Sequence, residues 1–141
     1  MRFSSWGFTV LAVTLGLSGC NPTLEKRNRV HGSVTLDGAP VAAGKIRLFA
    51  LTGGVGTDGA ITNGAYDIPA DRGVTSGSYR VEISVERSTG RKVPDRDGDA
   101  GAMKDETVES IPARYNKDST LKIDFDPSAD KPHDFDLKSK P

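Results

Sequence analysis

Tyr79-Arg80-Val81-Glu82-Ile83-Ser84-Val85 alternates apolar and polar residues without a break. In a strand, successive side chains point to opposite faces. Tyr79, Val81, Ile83 and Val85 therefore share one buried face, and Arg80, Glu82 and Ser84 share the wet one. A helix would scatter the same apolar residues around its circumference, so the stretch predicts the strand at the centre of the core.

Other stretches repeat the period. Upstream, Val30, Gly32, Val34 and Leu36 take one parity, with Arg29, His31, Ser33 and Thr35 on the other. Residues 45–51 place Ile46, Leu48 and Ala50 inward and Lys45, Arg47 and Phe49 outward. Asp37-Gly38 marks a turn after the first of these strands. Asn63-Gly64, between residues 60–62 and 65–68, supplies the positive φ angles of a type I′ hairpin turn. Downstream, Leu121, Ile123 and Phe125 alternate with Lys122 and Asp124, and Phe135 and Leu137 point inward from a last strand. No stretch carries a long amphipathic helical period. The reading is all-β, a single two-layer sandwich of about seven strands.

Two segments read as loops. Residues 53–59, Gly-Gly-Val-Gly-Thr-Asp-Gly, lack the Lys-Ser/Thr and following helix of a phosphate cradle, and predict a flexible hairpin connection. Residues 86–110 are the least strand-like of the domain and predict a mobile inter-strand loop. Within them Asp95, Asp97, Asp99 and Glu106 fall at positions 1, 3, 5 and 12 of an EF-hand-like Ca²⁺ loop. Ala100 occupies the position where such a loop needs Gly, and no helices flank it. The solvated loop is the favoured reading, and a metal site there is the alternative.

The N-terminal part has a different grammar. Arg2 precedes an apolar run from Trp6 to Leu17, which ends in Leu17-Ser18-Gly19-Cys20. A positive start, a short apolar core and small residues are the parts of a secretory signal, too short to remain as a spanning helix. Leu-Ser-Gly-Cys resembles the lipobox of bacterial lipoproteins. That resemblance implies cleavage before Cys20 and covalent lipid on its thiol. Cys20 is the only cysteine, so it has no disulfide partner within the chain. The expected organisation is a signal over 1–19, a lipidated Cys and tether over 20–28, a β-sandwich over 29–138 and a frayed end over 139–141. No cofactor is expected beyond the covalent lipid.

Three motifs lie in order along the domain: residues 34–41, Val-Thr-Leu-Asp-Gly-Ala-Pro-Val; residues 60–66, Ala-Ile-Thr-Asn-Gly-Ala-Tyr; and residues 76–81, Ser-Gly-Ser-Tyr-Arg-Val. Together they resemble the carboxypeptidase regulatory-like and transthyretin-like β-sandwich domains. That resemblance implies a Greek-key, Ig-like topology. Residues 111–116, Ile-Pro-Ala-Arg-Tyr-Asn, read as an extended segment with a bend at Pro112, and with the strands that follow they are similar to small lipoproteins of planctomycete-type bacteria. These motifs are turns and core residues, so they imply a fold rather than an activity. Hydroxyisourate hydrolases of the transthyretin-like family end in Tyr-Arg-Gly-Ser. This chain ends in Leu-Lys-Ser-Lys-Pro, and that activity is not carried over.

Composition narrows the function classes. The chain has 19 basic and 19 acidic residues, a balance that offers no footprint for nucleic acid. Trp6, Phe3 and Phe8 all belong to the expected signal, which leaves the domain poor in rings for stacking on sugars or bases. No Gly-x-Ser-x-Gly elbow is present, and His31, on an outward strand position, and His133, at a strand start, read as exposed residues that stand apart without further zinc ligands nearby. The expectation is a non-enzymatic envelope lipoprotein, held to membrane lipid through Cys20 on the extracytoplasmic side. Its partner would be an envelope protein or polymer. The alternative is a module binding a small ligand, a saccharide or Ca²⁺ through 86–110 and 53–59.

Overall fold

The structure, a computed structural model, describes residues 26–140. The expected signal over 1–19, Cys20 and residues 21–25 of the expected tether lie outside the described residues. Ten strands and one short 3₁₀ turn make up the fold: β1 Val30–Leu36, β2 Ala39–Pro40, β3 Ala43–Ala50, β4 Thr57–Thr62, β5 Ala65–Ile68, β6 Gly77–Ser84, β7 Glu86–Pro94, β8 Met103–Glu109, β9 Lys122–Phe125 and β10 Phe135–Leu137. The architecture is all-β and sandwich-like, as the alternation predicts.

The main sheet runs β10-β1-β5-β4-β3-β6-β9, with β2 beside the end of β1. β6 sits between β3 and β9, and Ile83 pairs with Ile46, Val81 with Leu48 and Tyr79 with Ala50. Tyr79, Val81, Ile83, Ile46 and Val34 are fully buried, so β6, next to last in the sheet order, lies at the centre of the core. The Tyr79 hydroxyl is also satisfied inside, donating to the Thr75 carbonyl at 3.0 Å. Every sheet neighbour pair is antiparallel except β1 with β10, which run parallel from Val34↔Phe135 to Leu36↔Leu137.

β1 changes partners along its length. Val30 to Ser33 pair with β5, while its C-terminal half pairs with β2 on one side and β10 on the other. The sheet curls until its two ends meet. The Phe125 ring on β9 lies 5.8 Å from the His133 ring ahead of β10, and the Tyr66 hydroxyl donates to the His133 carbonyl at 2.7 Å. Burial pushes the Tyr66 phenol well above its ordinary pKa. Both expected turns form: Asp37 and Gly38 have φ of 53° and 83°, and Asn63 and Gly64 have 50° and 78°.

Four expectations need correction. Residues 86–110 are not a loop: they fold into the β7–β8 hairpin. β4 begins at Thr57, so the glycine-rich connection over 53–59 is shorter than expected, and Gly59 pairs with Ile46. Residues 111–116 are not extended; Ala113–Tyr115 form a 3₁₀ turn. His133, read as an exposed strand-start residue, is buried, because sheet closure lays Phe125 against it. Desolvation there pushes its pKa down.

Candidate functional site

β7 and β8 continue directly from the central strand. Val85 links β6 to β7, and the arm is clamped at its root by two contacts: the Val85 amide donates to the Glu109 carboxylate at 2.8 Å, and the Ser110 amide donates to the Val85 carbonyl at 2.8 Å. Beyond this root, among the described residues, β7 and β8 pair only with each other. Nearly all of their residues are exposed, on both faces. The arm has no apolar face to bury, and for that reason the parity test misses it.

Cross-strand polar pairs hold the arm together instead. The Arg91 guanidinium forks onto Glu106 at 2.9 and 2.8 Å, and the Thr89 hydroxyl donates to the same carboxylate at 2.6 Å. Lys92 meets Asp105 at 2.8 Å, and the Thr107 hydroxyl donates to Glu86 at 3.0 Å. A register shift lies between Ser88 and Lys92. Such pairs contribute tenths of a kcal/mol each across strands, and a lone two-stranded hairpin is marginal in water. The arm therefore presents two free strand edges with little apolar burial behind them, which is the form that β-strand addition uses.

The four acidic residues of the expected Ca²⁺ alternative all lie on this arm, and the fold separates them. Asp95 stands at the turn, 3.2 Å from the Lys104 ammonium, which holds its carboxyl below the usual range. Asp97 donates its amide to Asp95 at 3.2 Å, and the Asp99 carbonyl accepts from Ala102. Glu106 sits three ladder positions beyond Met103, about 10 Å along the strand, and its bond to Arg91 holds its pKa down. Among the described residues, these carboxylates form no metal-holding cluster. Adding Ca²⁺ in place of chelator is expected to leave the melting temperature and the protease cleavage rate near Arg96 unchanged. Ca²⁺-dependent protection there would restore the metal site.

The two ends of the sandwich differ. At one end Asn28, the last residue of the expected tether, bonds Val74 in both directions at 2.7 and 3.0 Å. The 51–56 connection lies at this same end: Leu51 donates to the Ser78 carbonyl at 2.9 Å, and Gly54 sits over Thr75 and the Tyr79 hydroxyl. β6 then spans about 23 Å to Ser84, where the arm leaves. The Asp37-Gly38 and Asn63-Gly64 turns are at the arm end, as Gly64 and Asn63 bond Val41 and Ala42. A cleft of 310 Å³ lies at the root of the arm, lined by Ala43, Gly44, Lys45, Arg47, Ser84 and Glu86.

Five large apolar side chains are exposed among the described residues. Met103 and Val108 are on the arm, at 54% and 42% exposure. Phe49, Leu51 and Val55, at 39%, 45% and 41%, lie toward the Asn28 end. Phe49 has the expected outward parity, and the Arg80 guanidinium lies 4.8 Å from its ring centre. His31 and His133 are neighbours through their backbones, the His133 amide donating to the His31 carbonyl at 2.9 Å, and no ligand set surrounds them. The sequence signal that could have found the arm is its charge pattern: Arg87, Arg91 and Lys92 on β7 against Asp105, Glu106 and Glu109 on β8.

No family model, curated protein or solved structure matches the chain.

Proposed function

We propose that this chain is a non-catalytic lipoprotein of the cell envelope, held to the extracytoplasmic face of a membrane by lipid on Cys20. The sandwich is its rigid body, and the β7–β8 arm is the surface offered to an envelope protein or polymer. One observation carries this reading: the arm leaves the sandwich at the end opposite the tether, with both its strand edges unpaired among the described residues. Tethering one end turns the other toward the surroundings, and an unpaired edge supplies backbone donors and acceptors to a partner strand. The turn and core motifs support a transthyretin-like relationship for the sandwich, which hosts interaction modules as readily as enzymes. Thr89, Thr107, Glu86, Asp105 and Glu106 on the arm are engaged in cross-strand pairs, which favours a scaffold over a reacting centre.

Replacing residues 87–108 by an Asn-Gly turn tests this directly. The sandwich is expected to keep its denaturation midpoint, because the arm shares no strand pairing with it. Chemical cross-linking in intact cells should lose the envelope partner that the full chain captures. Retention of that partner by the armless chain would contradict the reading.

A further inference from the structure

We propose that the corner formed by Phe49, Leu51 and Val55 is a membrane-docking surface that lies against the phospholipid bilayer. The inference rests on the anchoring at Cys20 and goes beyond it, since a tether alone leaves the orientation of the domain free.

Position names the occupant. Asn28 is fixed to Val74 at the same end of the sandwich as the 51–56 connection. Eight residues separate Cys20 from Asn28, and an extended chain covers at most about 3.6 Å per residue, so a lipidated Cys20 keeps this end within about 30 Å of the headgroups. Phe49, Leu51 and Val55 are exposed and apolar, with Thr52 the one polar side chain of residues 51–56, whereas the rest of the outer β3 face carries Lys45 and Arg47. Arg80 stands over Phe49, an aromatic ring with a cation beside it, the pairing that suits the boundary between acyl chains and headgroups. Near the corner, the three cations Lys26, Arg27 and Arg72 outnumber the two carboxylates Asp58 and Asp71 by only one, so contact is driven mainly by apolar burial rather than by net charge. Docked in this way, the domain stands upright and holds its arm away from the lipid. A tethered apolar loop needs little affinity of its own, because the anchor raises its local concentration at the surface.

The test uses the full lipidated chain in a Trp6→Phe background, with one Trp placed at Val55 or at Val108. Each variant is reconstituted into vesicles of phosphatidylcholine and phosphatidylglycerol carrying brominated acyl chains, and flotation is measured beside fluorescence. The expected result is flotation of both, with the Val55→Trp emission blue-shifted and quenched severalfold more than that of Val108→Trp. Adding Leu51→Asp should release the quenching while the chain still floats, and raised salt should not. Three results would overturn the proposal. Flotation with equal or absent quenching at the two positions would refute docking and leave the anchor standing. Shielding of Val55→Trp from aqueous iodide without lipid quenching would assign the corner to a protein or a second copy. Failure to float would overturn both docking and anchoring.

Discussion

Ile83→Ala is expected to cost about 2–5 kcal/mol of unfolding free energy, a large share of the ~5–15 kcal/mol that holds a domain of this size. Ile83 is fully buried on the central strand, directly across from Ile46. Truncation loses its apolar burial and leaves a cavity between two strands that cannot collapse without breaking their ladder. Arg47→Ala, on the exposed face of β3, should stay within about 0.5 kcal/mol. Glu82→Ala falls between them, since Glu82 meets the Arg80 guanidinium at 2.5 Å and is mostly covered. Denaturant titration separates the three. Equal losses for Ile83 and Arg47 would refute the register.

Gly32→Ala is expected to destabilise by about 3 kcal/mol, the upper range for overpacking. A Cβ at Gly32 would lie 2.0 Å from the His133 carbonyl oxygen and 2.6 Å from its carbon. The obstacle is backbone, so no rotamer change relieves it. β1 and the segment before β10 would have to part, stretching the His133 amide bond to His31 and the Tyr66 bond to His133. A thermal midpoint unchanged in Gly32→Ala would show that the sheet does not close there.

The two glycine-rich turns and the core show what sequence conveys. Asn63-Gly64 and Asp37-Gly38 were readable because positive φ selects for those residues locally. The faces of β1, β3, β6 and β9 were readable because one side of each is dry. Gly32 has the right parity yet carries no hint of the backbone that crosses it, which depends on a segment far along the chain. His133 is buried for the same reason: closure of the sheet creates its environment. The arm hid itself differently. With both faces wet, β7 and β8 have no apolar alternation, and their ordering rests on cross-strand partners that are separated by the turn. The Ca²⁺ alternative followed linear spacing, while the hairpin sends Asp95 to Lys104 and Glu106 to Arg91. The lipobox resemblance of Leu17-Ser18-Gly19-Cys20 is carried by the sequence alone, since those residues lie outside the described ones.

Anchoring is therefore the claim on which orientation, arm and docking corner all depend. The most direct measurement is the intact mass of the chain purified from membranes of a lipoprotein-processing bacterium, with Cys20→Ser beside it. The account predicts a mature chain that begins at Cys20 and carries the mass of a diacylglyceryl group, with or without a further acyl chain. Cys20→Ser should lack that mass and either leave the membrane fraction or keep its signal uncut. A mature chain that begins elsewhere, with a free thiol at Cys20 and unchanged membrane residence in Cys20→Ser, would contradict it.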